Sequence, residues 1–159
     1  MNMSASPHHA RDNAPCALWQ ESLIAASPAL PPIVFLHGIG GRATGWARVQ
    51  RACAQAGYAS LAWDMPGYGQ STFIDPYDFD GLADALALLL DVHGLQKAVL
   101  VGHSLGGMVA LQMWARHPER VAALVLAASS PAFGHGSGDF QQAFIAQRLA
   151  PLEAGKSMA

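Results

Sequence analysis

From Pro31 onward the chain alternates between short apolar runs and helix-compatible stretches, and this alternation constrains its fold more than any other feature. Ile33-Val34-Phe35-Leu36 is a β-rich run bounded by Pro31-Pro32 and His37-Gly38, the pattern of a fully buried strand. Thr44 to Ala56 is rich in Ala, Gln and Arg and suits a helix, with Gly57 as its stop. Tyr58 to Trp63 is the next strand, and the punctuation of Pro66, Gly67 and Gly69 makes Asp64 to Tyr77 a loop. Leu82, Leu86, Leu89 and His93 recur at helical spacing and end at Gly94. Ala98 to Val101 is strand again, Leu105 to His117 is a helix ended by Pro118, and Val121 to Ala127 is strand.

Short apolar strands separated by helices of this length imply right-handed crossovers and a mostly parallel sheet. The strands are near-continuously apolar rather than alternating, so both faces should be covered by helices. The expected architecture is an open, doubly wound α/β sheet with ligands beyond the carboxyl ends of its strands. At 159 residues the chain has the length of one domain. Residues 1–30 carry a weak pattern in which Ala17 to Ala25 reads as an edge strand. Residues 31–131 form the α/β core. In residues 132–159 a Gly-rich loop, Phe133 to Gly138, leads into a helix, Asp139 to Leu149.

Charged residues are only 13% and apolar ones 52% of the chain, which suits strands covered on both sides. A net charge of −2, spread without runs, argues against nucleic acid or an anionic membrane surface as a partner. No apolar run approaches the roughly 18 residues needed to span a bilayer. Met1 to Asn13 is polar with no hydrophobic region behind it, so a cytoplasmic location is expected. Cys16 and Cys53 form neither a disulfide framework nor a CxxC pair. No His, Cys or Asp spacing suggests a metal, and no GxGxxG suggests a dinucleotide, so no cofactor is expected.

Chemistry concentrates at the strand ends. Gly102-His103-Ser104-Leu105-Gly106-Gly107 follows one predicted strand and opens one predicted helix, the context that a nucleophile elbow requires. A serine on so sharp a turn has strained backbone angles, and the residues two before and two after it are pressed together. Only small side chains fit there, and Gly102 and Gly106 supply them. The Ser104 hydroxyl is thereby raised to a helix N-terminus, where free N–H groups stabilise a developing oxyanion. His37-Gly38-Ile39-Gly40-Gly41 also lies just past a strand, and its glycines let backbone approach a substrate oxygen. The Ile39 and Leu105 N–H groups are the two halves of the expected oxyanion hole. Asp64 opens the turn Met65-Pro66-Gly67-Tyr68-Gly69, where it is expected to accept backbone N–H bonds within its own loop.

These three segments, in this order and spacing, resemble the α/β-hydrolase superfamily over Pro31 to Ala128. The resemblance is to small-molecule serine hydrolases such as carboxylesterases, enol-lactonases and carbon–carbon bond hydrolases. It implies Ser104 as nucleophile and Ile39 and Leu105 as oxyanion donors, acting on a small acyl substrate. A serine at the elbow counts against haloalkane dehalogenase or epoxide hydrolase chemistry, which uses a carboxylate. Two other classes remain: a catalytically inactive fold used for binding, and cofactor-free peroxidase or carbon–carbon chemistry on the same site.

The remaining triad members are harder to find. His103 adjoins Ser104, but neighbouring side chains on an elbow diverge, and His37 is expected to shape its own loop. His93 and His117 close helices, and His8 and His9 lie in the N-terminal tail. In this fold the order is Ser, then Asp or Glu, then His. After Ser104 only His117, more than three turns down its helix, and His135, which precedes any suitable acid, remain. Asp139 is the first carboxylate after Glu119 and is not expected to be the triad acid. Similar proteins continue with further strands that carry acid and base, so a C-terminally truncated, inactive chain is expected, with Val121–Ala127 left as an unpaired edge. The helix from Asp139 is either the start of a cap, with Phe140 and Phe144 as apolar substrate walls, or an ordinary core-packing helix.

Overall fold

Gln20–Leu23 (β1), Ile33–Leu36 (β2), Ser60–Trp63 (β3), Ala98–His103 (β4) and Val121–Ala127 (β5) form one sheet in the computed structural model. The structure describes residues 20–23 and 30–130, with helical positions 142, 143, 146, 147 and 150 beyond them. The strand order is β1-β3-β2-β4-β5, with β1 antiparallel to β3 and the other pairs parallel. The edge strand expected within Ala17 to Ala25 is thus β1. The Asp139–Leu149 helix signal falls mostly outside the described residues.

Helices lie on both faces of the sheet. Phe79–Val92 (α2) and Leu105–Arg116 (α3) pack Leu86, Leu89, Val109 and Met113 onto Leu36, Trp63 and Leu100 of one face. Ala47–Gln55 (α1) follows a 3-10 turn, Ala43–Trp46, on the other face, where Phe35, Ala62 and Val99 meet Trp46 and Cys53. Each fully buried side chain of this size contributes about 1.5–3 kcal/mol. Asp78 caps α2 by accepting the Gly81 N–H at 2.7 Å, as its position before an apolar periodic run implies. Across the helix pair, Arg116 forks onto Asp84 at 2.9 and 3.1 Å, and His117 Nε2 lies 2.8 Å from the same carboxylate.

One expectation fails. The apolar run Val121–Ala127 reads as a strand covered on both faces, yet Val125 and Leu126 are 49% and 39% exposed. Among the described residues β5 pairs only with β4, so it is the unpaired edge that was expected of it, and what fails is the expected cover of both its faces.

The winding fixes where a ligand can bind. The chain leaves β2 through α1 on one face and leaves β4, its neighbour in the sheet, through α3 on the other. The carboxyl ends of β2 and β4 are thus the switch point of a doubly wound sheet, where ligands bind in folds of this kind. His37–Gly41 and Ser104 lie at those two ends.

Candidate active site

Ser104 sits between β4 and α3 with φ 50° and ψ −116°, a left-handed conformation for a residue with a Cβ. Such strain costs on the order of 1–3 kcal/mol and persists only where surrounding contacts enforce it. Here those contacts are backbone. A Cβ on Gly102 would lie 2.5 Å from the Gly106 carbonyl oxygen and the Gly107 Cα, and one on Gly106 would strike the Leu36 carbonyl. The elbow is wedged against β2 as well as against its own helix, so both glycines are steric requirements.

The loop after β2 lies directly over this turn. A Cβ on Gly38 would be 3.1 Å from Ser104 Cβ and 2.9 Å from His103 Nδ1. The Gly41 N–H closes the loop onto the Gly38 carbonyl at 2.9 Å. Ile39 is 57% exposed, so the candidate oxyanion loop meets the Ser104 turn through backbone and leaves one apolar side chain exposed.

His37 is the buried anchor of that loop. Its Nε2 accepts the Met65 N–H at 3.2 Å, which leaves Nδ1 as the protonated nitrogen, donating to the Gly38 carbonyl at 2.8 Å. Burial pushes its pKa below the ordinary imidazole value, against the Gly38 carbonyl and the Asp64 charge, which raise it. The edge of the imidazole packs on Tyr68, with ring centroids 4.7 Å apart. Both ring nitrogens are committed to backbone, and the ring is held neutral. His103 is exposed and its ring covers Gly38. Among the described residues no side chain is hydrogen-bonded to the Ser104 hydroxyl.

Asp64 differs from its expected role. Its Oδ1 accepts the Ala43 N–H at 2.6 Å, 21 residues away, with His37 Nε2 at 4.0 Å, while its Oδ2 lies against Gly69 of its own loop. Its own loop is closed instead by the Asp64 carbonyl, which accepts from the Ser71 hydroxyl at 2.5 Å. Asp64 therefore ties the end of β3 to the segment following the oxyanion loop. Phe140 and Phe144, the expected substrate walls, lie outside the described residues, as do His135 and Asp139. Among the described residues no group of three His, Cys, Asp or Glu side chains could hold a metal.

Sequence reasoning passed over Ser129. Its hydroxyl donates to the Ser104 carbonyl at 2.8 Å, and it fills the space that a Cβ on Gly107 would need. The only local signal was the doubled glycine Gly106-Gly107, whose second member the elbow alone does not explain.

A sharp strand–serine–helix turn flanked by glycines, at the switch point of a doubly wound sheet with a glycine loop laid over it, is the arrangement of the α/β hydrolase class. Residues 31–154 match the family defined by the α/β hydrolase fold, and the chain belongs to that family. It is 41% identical over 103 residues to a pimeloyl-[acyl-carrier protein] methyl ester esterase of Chromobacterium violaceum, covering 65% of this chain and 39% of that protein. It is 44% identical over 99 residues to a 2-hydroxy-6-oxononadienedioate/2-hydroxy-6-oxononatrienedioate hydrolase of Burkholderia vietnamiensis, covering 59% of this chain and 34% of that one. Among solved structures, a study of carboxylesterases of Nitrososphaera gargenis provides a chain that superposes with a TM-score of 0.72 at 24% identity. That match covers 85% of this chain and 49% of the other, and it speaks to the fold alone. The chain thus spans well under half the length of the two curated relatives, 39% and 34%.

Proposed function

We propose that the protein is a serine hydrolase of small esters, thioesters or lactones that works through an acyl-enzyme on Ser104. The observation that carries this reading is the backbone of Ser104: φ 50° on a strand-to-helix turn, enforced by Gly102 and Gly106, under the Gly38–Ile39 loop. Strain held by so many contacts is the mark of a functional position. In the first step Ser104 Oγ bonds to the substrate carbonyl carbon while its proton passes to a base. The carbonyl oxygen becomes an oxyanion facing the Ile39 and Leu105 N–H groups. Collapse expels the alcohol, thiol or ring oxygen, which takes up a proton, and water then releases the acid. His37 is excluded as the base because both its nitrogens are bonded to backbone, and His103 is turned over Gly38. Base and acid therefore come from outside the described residues. Phe140 and Phe144, outside the described residues, are the candidate apolar walls for the substrate.

A second reading, hydrolysis of a carbon–carbon bond in a 2-hydroxy-6-oxo-dienoate, is favoured by the 44% identity to a hydrolase of that substrate class. One panel separates the two: aryl esters of graded chain length, acyl thioesters, lactones and a 2-hydroxy-6-oxo-dienoate, each with the full-length protein and Ser104→Ala. Turnover of the esters, lost in Ser104→Ala, supports the first reading. Turnover of the dienoate alone supports the second, and no turnover of any member removes both.

A further inference from the structure

We infer that Ser129 is a positioning residue that orients the Leu105 N–H toward a substrate oxyanion by holding the opposite end of the same peptide unit. The inference rests on the proposed hydrolase reading for its chemical purpose, but its geometry stands independently. The Ser104 carbonyl and the Leu105 N–H belong to one planar peptide, so whatever fixes the direction of the C=O fixes that of the N–H. A carbonyl oxygen has two lone pairs. At Ser104 the Gly107 and Met108 N–H groups approach together from the first turn of α3, at 3.0 and 3.3 Å. The Ser129 hydroxyl comes from β5 rather than from α3, at 2.8 Å, the shortest of the three bonds. The bond from Ser129 thus adds a hold from a second element to the two bonds from the helix.

The chain around Ser129 is shaped to deliver this bond. The Ala127 carbonyl accepts the Ser104 N–H at 3.0 Å, so β5 already holds the amino side of the nucleophile. Ala128 then adopts φ 49°, a left-handed turn that costs an L-residue about 1 kcal/mol. The turn brings Ser129 back across the elbow, to the carbonyl side of the same residue. Residues 127–129 therefore grip Ser104 at both its N–H and its C=O. Gly107 completes the arrangement, since a Cβ there would lie 2.5 Å from Ser129 Cβ. Two non-glycine residues with positive φ are found among the described residues, Ser104 and Ala128, and they face each other across this contact.

The test combines amide exchange and resonance shifts with labelling by a fluorophosphonate, comparing wild type, Ser129→Ala and Ser129→Thr in the full-length protein. Ser129→Ala should move the Leu105 amide resonance and speed exchange at Ser104, Gly107 and Met108 about tenfold, a loss the size of one hydrogen bond. Amides of β2 should not change, and Ser129→Thr, which keeps the hydroxyl, should restore the wild-type pattern. Gly107→Ala, which pushes Ser129 away from the other side, should reproduce the elbow-confined change should Ser129→Ala fold poorly. The labelling rate at Ser104 should fall about tenfold in Ser129→Ala through the bond-forming step rather than through probe affinity. Elbow amides that stay unmoved, or amides that change equally across the whole sheet, would overturn the inference. Where the wild type does label, equal rates in wild type and Ser129→Ala would overturn it as well. A wild-type protein inert to the probe, with the elbow-confined change present, removes the hydrolase reading and leaves the positioning role established.

Discussion

Gly102→Ala is the substitution whose cost the elbow geometry makes most explicit. The added methyl would stand 2.5 Å from the Gly106 carbonyl oxygen and from the Gly107 Cα, well inside the 3.4 Å at which ordinary contact begins. Neither atom is the end of a flexible side chain. Gly107 is held by Ser129 on its far side, and Gly106 is backed by the Leu36 carbonyl, so the first turn of α3 cannot retreat without disturbing β2. Overpacking of this kind costs about 1–3 kcal/mol, and backbone on both sides argues for the upper end. Alanine gains back about 0.5 kcal/mol from its better strand propensity, which is too little to offset the clash. A loss of about 3 kcal/mol is a large share of the roughly 5–15 kcal/mol that holds a domain together. In a chain of this length it should lower the melting temperature by about 6–12 °C. Gly45→Ala is the matched control, because nothing lies within 4 Å of a Cβ there and its φ is not left-handed. It should be neutral or slightly stabilising. Thermal denaturation of the two variants beside wild type decides the matter: a Gly102→Ala melting temperature within about 2 °C of wild type would refute the steric account of the elbow.

Three further outcomes follow from the buried polar contacts and the helix pair. Asp64→Ala strands the Ala43 N–H, which Asp64 accepts at 2.6 Å, and should cost about 1–3 kcal/mol in urea denaturation. Asp64→Asn, which keeps an acceptor oxygen, should cost clearly less. His37 has its pKa held below the ordinary 6.5 by burial, so on acidification the unfolded chain takes up its proton first. Stability should therefore fall as the pH drops below about 6.5, and His37→Gln should flatten that part of the denaturation profile. The Asp84 carboxyl is held below its usual range by the His117 bond and then by Arg116, so its contribution is present above about pH 4 and lost as the pH falls through its folded value. Because the pair is half exposed, Asp84→Asn should cost no more than about 1 kcal/mol at neutral pH, and less in high salt.

What could be read from the sequence was whatever a local steric demand writes into neighbouring residues. Gly102 and Gly106 flank Ser104 because the turn admits no side chain, and that need is visible within five residues. The same holds for the β2 strand between its prolines and His37-Gly38. The contacts that escaped are those the fold makes between distant segments. Asp64 reaches 21 residues back to Ala43, and Ser129 reaches 25 residues back to Ser104. A carboxylate in a glycine-rich turn looks the same whether it bonds its own loop or the next one. The edge position of β5 was legible in the lack of a strand signal after Ala127, whereas the exposure of Val125 and Leu126 escaped because Val121–Ala127 has the apolar composition of a strand covered on both faces.

The central claim is that Ser104 is the nucleophile of an acyl-transfer site, and covalent capture tests it most directly. The full-length protein is treated with a fluorophosphonate, digested, and its modified peptide identified by mass spectrometry, beside Ser104→Ala. A single adduct on Ser104, absent from the variant, is the result the proposed reading predicts for this strained elbow serine. A protein that stays unmodified, or labelling that persists in Ser104→Ala, would contradict the account.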